Sequence, residues 1–241
     1  MGEKTEEKIQ KFNSYLLPFL SQGLTVQVVF KLGNPVDVIL KATQEEAVDL
    51  LIIGALQKEN LVNYYIGSIA RKITRKATCD VLLLIKPSVE RNRCNKIIVN
   101  GLKHKKTQHA IEAACFFSAK LGASKMTIVE EIQEEEISIK VDDKATLRKA
   151  AIAREKITRR EDKRVHELLS TIPEHLKENY SILTQPIFGQ RGYSIGHYAE
   201  TVRADLLVMN APSKTTIWDR IFPHDLEHIL SELPTDVLII Q

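Results

Sequence analysis

Residues 50–54 read Leu-Leu-Ile-Ile-Gly, residues 66–70 read Ile-Gly-Ser-Ile-Ala, and residues 81–85 read Val-Leu-Leu-Leu-Ile. An apolar run that ends in glycine is typical of a strand buried on both faces of a parallel sheet. The stretch therefore predicts a strand, a long loop, a helix that begins near Ser68, and a second strand. Because the first N–H groups of a helix are unpaired and carry the positive end of its dipole, the start of this helix suits an anion such as phosphate.

Four positions in this stretch have a distinctive spacing. Two residues separate Gly54 from Gln57, nine separate Gln57 from Gly67, and Ser68 follows directly. This spacing resembles the phosphate loop of universal stress proteins, which has glycine at the first three positions and serine or threonine at the fourth. Gln57 is the one departure, at a position where the family's nucleotide binders have glycine and where a side chain would crowd a triphosphate. The resemblance implies that ATP or AMP binds at Gly54, Gln57, Gly67 and Ser68.

The end of the chain repeats its beginning. Shifted by 156 positions without gaps, the run Asp205-Leu206-Leu207 falls on Asp49-Leu50-Leu51. An ungapped match over several elements predicts a tandem duplication. We expect a first copy over residues 1–87 and a second copy over residues 94–241, with a polar linker, Pro87–Arg93, between them.

The second copy predicts a complete alternation of strands and helices, whereas the first copy lacks its beginning. In the second copy the pattern predicts strands over 96–99, 125–130 and 180–187 and helices over 107–121 and 142–169. In the first copy it predicts a helix over 3–22, a strand over 24–32 and a helix over 35–47, but no equivalent of the first strand, first helix or second strand. Three explanations stay open: the sequence begins inside a longer protein, the missing strands come from a partner chain or from rearranged pairing, or the half-domain tolerates an open sheet.

The resemblance implies an α/β fold made of two universal-stress-protein-like domains, which are Rossmann-like and of the adenine nucleotide alpha hydrolase-like type. Alternating strands and helices favour parallel sheets with right-handed crossovers. In the family, the strand order is 3-2-1-4-5, and the last strands of two domains pair antiparallel about a pseudo-twofold axis. Here that pairing would join residues 81–85 to residues 237–240.

The second copy departs further from the phosphate loop. Its four loop positions are occupied by Asn210, Ser213, Pro223 and His224, and proline lacks the N–H that a phosphate would use. Asn100 occupies the position at which the family's nucleotide binders use an acidic residue. We therefore expect no nucleotide at this copy and a structural or regulatory role for it.

Other candidate motifs have simpler explanations. His224 and His228 have helical spacing, but no third ligand is evident in the sequence, so we expect no metal site. Acidic residues alternate with basic ones over 154–164, which favours a salt-bridged helix surface over a nucleic-acid interface. Tyr64 and Tyr65 suit stacking on a base and packing on an apolar surface equally well. The sequence contains no nucleophile elbow, P-loop or cysteine–histidine motif, so we expect no catalytic residues.

Composition restricts the class of protein. A net charge of +3 over 241 residues is too small to predict nucleic-acid binding. The longest apolar runs are far shorter than the roughly 20 residues of a membrane-spanning helix, so we expect no membrane insertion by this chain. Cys79, Cys94 and Cys115 are widely spaced and form no Cys-x-x-Cys pair, which favours reduced thiols in a cytoplasmic protein.

These observations favour a regulatory or binding protein rather than an enzyme. The resemblance implies a stress-response protein that senses ATP or AMP and forms a dimer, either as a homo-oligomer or through pairing of its own two domains. An alternative is the cytosolic regulatory domain of a membrane transporter, an antiporter or a permease, with no nucleotide bound. An ATP-hydrolysing domain is a third possibility, but it requires a base and a magnesium ligand that the sequence does not indicate.

Overall fold

The computed structural model describes residues 3–57, 64–85, 93–137, 139–140, 142–190, 192–211, 229–230 and 233–241. The chain divides into two compact units, Met1–Val38 and Ile39–Gln241. The second unit contains the end of the first copy together with the whole of the second copy. The predicted linker, apart from Arg93, lies outside the described residues, and the boundary between residues 87 and 94 stays a prediction.

The described elements follow the order expected from the sequence. In the first copy they are α1 (Glu3–Leu20), α2 (Pro35–Glu45), β1 (Leu50–Gly54), β2 (Leu56–Gln57), β3 (Tyr64–Tyr65), α3 (Ser68–Lys76) and β4 (Asp80–Leu84). In the second copy they are β5 (Lys96–Asn100), α4 (Thr107–Leu121), β6 (Lys125–Ile132), α5 (Lys144–Ser170), β7 (Ser181–Phe188), α6 (Tyr193–Thr201), β8 (Leu206–Asn210) and β9 (Asp236–Ile240). Short 3-10 helices lie at Glu134–Ile137 and Glu174–Leu176. Every helix and strand predicted above is present, with one exception.

The exception is the strand predicted over residues 24–32, and that prediction is wrong. The segment contains alternating apolar residues, but the structure gives it no strand pairing. Its equivalent in the second copy is β7, which pairs in parallel with β6 from Ser181 to Phe188. The described residues of the first copy, 3–57 and 64–85, include no strand at the position of β6. Because a strand needs a hydrogen-bonded neighbour, the apolar pattern alone does not make this segment a strand.

Seven strands form one mixed sheet in the order β1-β4-β9-β8-β5-β6-β7. Within the second copy, the order β7-β6-β5-β8-β9 is the expected 3-2-1-4-5, and all four neighbouring pairs are parallel. The strands β1 and β4 of the first copy are also parallel. These findings confirm the predicted α/β fold. They also place β1 at one lateral edge of the described sheet.

The two copies join through an antiparallel pair, β4 with β9, which confirms the pairing implied by the resemblance. Leu82 lies opposite Leu238, and these residues are equivalent under the shift of 156 positions, so the pseudo-twofold axis passes between them. Hydrogen bonds follow the same symmetry. The Asp236 carboxylate accepts the Ile85 N–H at 2.8 Å, and the Asp80 carboxylate accepts the equivalent N–H of the second copy at 2.9 Å.

Apolar side chains from both copies fill one face of this sheet. Ala70 and Val81 of the first copy share a buried cluster with Ile195, Leu207 and Leu230 of the second copy. Removing apolar surface from water stabilises a fold by about 25 cal/mol per Å². Because the same cluster contains both copies, we expect residues 39–241 to unfold as one cooperative unit.

Candidate functional site

The first predicted site residue lies at the carboxyl end of β1, where the parallel strands of the sheet end. Gly54 is the last residue of β1, and a side chain there would meet no atom within 4 Å. Because β1 and β4 are parallel and α3 crosses between them, α3 begins at the edge where β1 ends. Ligands of open parallel sheets bind at this edge.

Gln57 lies in a short hairpin rather than in a plain loop. The strand β2 pairs antiparallel with β3, and Gln57 lies opposite Tyr64. The sequence predicts only a loop here, because two-residue strands have no recognisable periodicity. Residues 58–63 lie outside the described part of the chain. The hairpin connects the end of β1 to the start of α3.

Gly67 and Ser68 form the start of α3. Gly67 is the N-cap residue, with an extended backbone (φ −64°, ψ 159°) and no side chain to cap the helix, and Ser68 is the exposed first residue. The first turn of α3 contains no acidic residue, whereas Arg75 and Lys76 lie in its last turn. No carboxylate on this helix balances the positive end of its dipole, a condition that favours a bound anion.

Contacts with the second copy hold this helix start in place. The Ile66 N–H donates to the Leu230 carbonyl oxygen at 3.4 Å, and the Arg71 guanidinium donates to the same oxygen at 3.3 Å. Ala70 and Ile73 on the inner face of the helix are buried. The N–H groups at the start of α3 are therefore oriented by packing, before any ligand arrives.

Comparison with known proteins identifies the family. Residues 3–84 match the family model described as "Universal stress protein family". This match identifies residues 3–84 as a universal stress protein segment. The matched residues are those of the first copy, which carries the Gly54, Gln57, Gly67 and Ser68 spacing.

Individual universal stress proteins match over part of their length. MJ0577 of Methanocaldococcus jannaschii is 29% identical over 80 residues, which cover 33% of this chain and 49% of the relative. YxiE of Bacillus subtilis is 27% identical over 63 residues, which cover 26% of this chain and 43% of the relative. The chain thus spans about half the length, or less, of the curated relatives it matches. A solved universal stress protein of Archaeoglobus fulgidus shares the fold, with a TM-score of 0.60 and 16% identity over 100% of this chain and 80% of that chain.

In the second copy, side-chain hydrogen bonds lie at the equivalent ends of the strands. The Asn210 amide donates to the Thr107 hydroxyl at 3.1 Å, and that hydroxyl donates to the Leu102 carbonyl oxygen. The Asn100 side-chain oxygen accepts the Leu102 N–H at 3.1 Å. These bonds connect the ends of β5 and β8 to the start of α4. The other predicted loop positions are outside the described residues: Ser213, Pro223 and His224.

A buried cluster of acidic and basic groups lies near the ends of β5 and β6, and the sequence pattern does not predict it. The Arg164 guanidinium donates to the Glu130 carboxylate at 3.1 Å and to the Glu161 carboxylate at 2.8 Å. The Glu130 side chain is 3% exposed. Its second oxygen has no hydrogen-bond partner among the described residues. Burial raises the pKa of Glu130 to about 7, against the lowering effect of Arg164.

Glu161 shows the opposite balance in the same cluster. Burial acts to raise its pKa, but hydrogen bonds from Arg164 and Arg160 outweigh burial and lower it. The cluster borders a cavity of about 320 Å³ whose lining includes Gly101 and Glu136. Arg164 thus contacts two carboxyl groups whose pKa values move in opposite directions, upward for Glu130 and downward for Glu161.

The helix α5 shows both what the charge pattern predicts and what it misses. Arg159 and Glu155 form an exposed ion pair at 2.6 Å, which confirms the predicted salt-bridged surface at this point. Arg164 and Glu161 instead face the sheet, and alternating charge does not indicate which residues turn inward. The glutamate pair near the end of the strand β6, at residues 130–131, is the sequence signal that could have located the cluster.

Within the described ranges, no group of three or more histidine, cysteine, aspartate or glutamate side chains could hold a metal ion, and His224 and His228 lie outside those ranges. The three cysteines are free thiols, and burial raises the pKa of Cys94 to about 12. In the described part of the chain, no helix is long and apolar enough to cross a bilayer.

Proposed function

We propose that this chain is a non-catalytic regulatory protein of the stress response that binds an adenine nucleotide, ATP or AMP, at Gly54, Gln57, Gly67 and Ser68. The observation that carries the proposal is the start of α3, where no side chain caps the helix and no acidic residue lies in the first turn. Such a helix start favours a phosphate. The family resemblance of the loop spacing supports an adenine nucleotide as the molecule that carries it.

Each site residue has a role in this proposal. The N–H groups at the start of α3 donate to phosphate oxygens, and the Ser68 hydroxyl adds a further donor. Gly54 leaves open space at the end of β1, so a phosphate can approach the backbone there. Because this chain has Gln57 where the family's nucleotide binders have glycine, we expect AMP to bind at least as tightly as ATP.

The second copy has a supporting role in this proposal. Its own loop has Pro223 at the position of Gly67, and proline lacks the N–H that a phosphate would use, while Leu230 holds the start of α3. We therefore expect one nucleotide per chain. Three statements remain predictions from the sequence. They are that the chain forms a homo-oligomer, that it lies in the cytoplasm, and, as the alternative, that it is the cytosolic domain of a membrane transporter.

Calorimetric titration of the whole chain with ATP and with AMP, each with and without magnesium, tests the site. For Gly67→Asp we expect binding to be lost, because a carboxylate at the N-cap occupies the anion position. Gly67 has an extended backbone, in which aspartate is a favoured N-cap, so this variant should gain a few tenths of a kcal/mol of stability, roughly, rather than unfold. The matched control is Asn179→Asp, which adds the same charge at an exposed residue of the second copy.

Micromolar binding that Gly67→Asp abolishes and Asn179→Asp retains would support the site. The absence of heat at millimolar nucleotide, from a protein whose circular dichroism shows a folded state, would rule out the nucleotide proposal. Release of phosphate from ATP by the purified chain, at a rate that Gly67→Asp reduces, would contradict the non-catalytic part of it.

A further inference from the structure

The helix α5 presents a basic surface to solvent, because most of its acidic residues turn inward. Residues 144–163 contain eight basic and three acidic residues. Glu161 is buried, and the Asp162 carboxylate accepts the Thr184 hydroxyl of β7 at 2.7 Å. Glu155 is the only exposed acidic residue of this range, all of which the structure describes.

The exposed basic residues lie on one side of the helix. An α-helix has 3.6 residues per turn, so residues three, four, seven or eight apart share a side. Five exposed cations follow this spacing: Arg148, Lys149, Lys156, Arg159 and Lys163. Ala150 and Val165 lie on the opposite side of the helix and are buried. The five cations form a surface about 22 Å long, which we call the basic face of α5.

Ion pairs neutralise only part of the basic face. Arg159 pairs with Glu155 at 2.6 Å, and Lys163 pairs with Glu167 at 3.8 Å. Within the described residues, no ion pair involves the other three cations: Arg148, Lys149 and Lys156. Because like charges one turn apart destabilise a helix, an anionic partner would stabilise this arrangement.

An apolar side chain lies at the centre of the basic face. Ile152 is 57% exposed, one turn after Arg148 and one turn before Lys156. A lipid bilayer has anionic headgroups above an apolar layer, so it accepts cations and an aliphatic side chain together. A cluster of about four to eight lysine or arginine residues on such a helix is typical of binding to anionic lipids. Nucleic acid is less suited, because its phosphates offer no contact for an isoleucine and the chain's net charge is only +3.

We propose that the basic face of α5 binds the surface of an anionic lipid bilayer. The five cations contact lipid phosphates and carboxylates, and Ile152 enters the boundary between the headgroups and the acyl chains. The protein stays peripheral, because the opposite side of α5 packs on the sheet through Val165.

The proposal is independent of the nucleotide site. Leu207 and Val208 are successive residues of β8 and therefore point to opposite faces of the sheet. Leu207 shares a buried cluster with Ala70 of α3, whereas Val208 shares another with Val165 of α5. The two helices thus cover opposite faces.

Co-sedimentation of the whole chain with lipid vesicles measures the binding. One set of vesicles contains phosphatidylcholine alone, and the other contains phosphatidylcholine with about one third phosphatidylserine. We expect the chain to sediment with the second set only, at about 0.1 M salt, and to be released at about 0.5 M, because salt screens the attraction.

Two pairs of substitutions test whether α5 is the surface that binds. Lys149→Gln with Lys156→Gln removes two charges from the basic face, and the matched control, Lys72→Gln with Lys76→Gln, removes two exposed charges from α3. A lysine near an anionic surface strengthens binding by roughly fivefold. We therefore expect the first pair to weaken binding by about 10- to 30-fold and the control by less than about twofold. Circular dichroism checks that both variants are folded.

A third variant, Ile152→Gln, tests the apolar contact. Because this variant removes apolar surface but no charge, we expect it to weaken binding to the phosphatidylserine vesicles by about three- to tenfold. It should leave binding to a polyanion without an apolar layer, such as duplex DNA, unchanged.

The absence of sedimentation with phosphatidylserine vesicles at the lower salt concentration would overturn the proposal. Equal weakening by the two lysine pairs would also overturn it, since binding would then depend on total charge rather than on α5. Duplex DNA that binds more tightly than the vesicles, with the same dependence on Lys149 and Lys156, would assign the basic face to nucleic acid instead.

Discussion

Glu130 is the residue whose ionisation should affect the second copy most. Burial raises its pKa to about 7 in the folded chain, whereas an exposed glutamate titrates near about 4.3. Because the folded state binds this proton more tightly, the stabilising contribution is fully present below about pH 4 and is lost as the pH rises through about 7. For Glu130→Gln, which cannot ionise, we expect the free energy of unfolding relative to the parent to increase by roughly 1–3 kcal/mol between about pH 5 and about pH 8.

Denaturant unfolding of Glu130→Gln and the parent at the two pH values measures this change. Glu161, whose pKa is lowered, contributes stability that is lost on acidification, and it is present in both proteins. The matched control is Glu155→Gln, since Glu155 is 60% exposed in its ion pair with Arg159 and should change stability little. A difference between Glu130→Gln and the parent that does not depend on pH would be incompatible with the raised pKa.

At the scale of elements, a carboxylate on β6 caps the helix α6. Glu131 accepts the N–H groups of Gly192 at 3.0 Å and of Ile195 at 2.8 Å. For Glu131→Ala we expect a loss of roughly 2–4 kcal/mol in the free energy of unfolding, because both buried donors lose their acceptor. Glu131→Gln retains one acceptor oxygen and should cost less. Equal costs for the two variants in denaturant unfolding would argue for packing rather than capping.

Periodicity predicts elements well where an element can form from its own sequence. The helix α4 has the predicted bounds, Thr107–Leu121, because Gly122 takes a left-handed conformation (φ 71°) that ends it. Residues 24–32 show the limit of such prediction. Their alternation indicates a strand, but a strand forms only beside a neighbour, and nothing in the segment itself records whether that neighbour exists.

At the scale of the whole molecule, the repeat predicts more than any single motif does. The shift of 156 positions makes β4 and β9 equivalent, the family resemblance implies that they pair, and the structure confirms the contact. The family spacing likewise places Gly54 and Gly67 at one edge of the sheet. In contrast, the contact between Glu130 and Arg164 joins residues on different elements, and a charge pattern along one helix carries no information about the strand it packs against.

Two equivalent hydrogen bonds join the copies on either side of the pseudo-twofold axis. Asp80 accepts the Gln241 N–H at 2.9 Å, and Asp236 accepts the Ile85 N–H at 2.8 Å. Because the two bonds are equivalent, we expect Asp80→Ala and Asp236→Ala to cost similar amounts, roughly 1–3 kcal/mol each. The bonds lie at opposite ends of β4, and sites more than about 7–10 Å apart interact little, so the double variant should cost about the sum.

Guanidinium unfolding of the two single variants and the double variant measures these free energies. Markedly unequal single costs would contradict the equivalence of the two bonds. A double variant that loses much less than the sum would mean that breaking either bond already separates β4 from β9. In that case the copies would unfold in two steps, because the apolar cluster shared by α3 and the second copy could not hold them together without the strand pair.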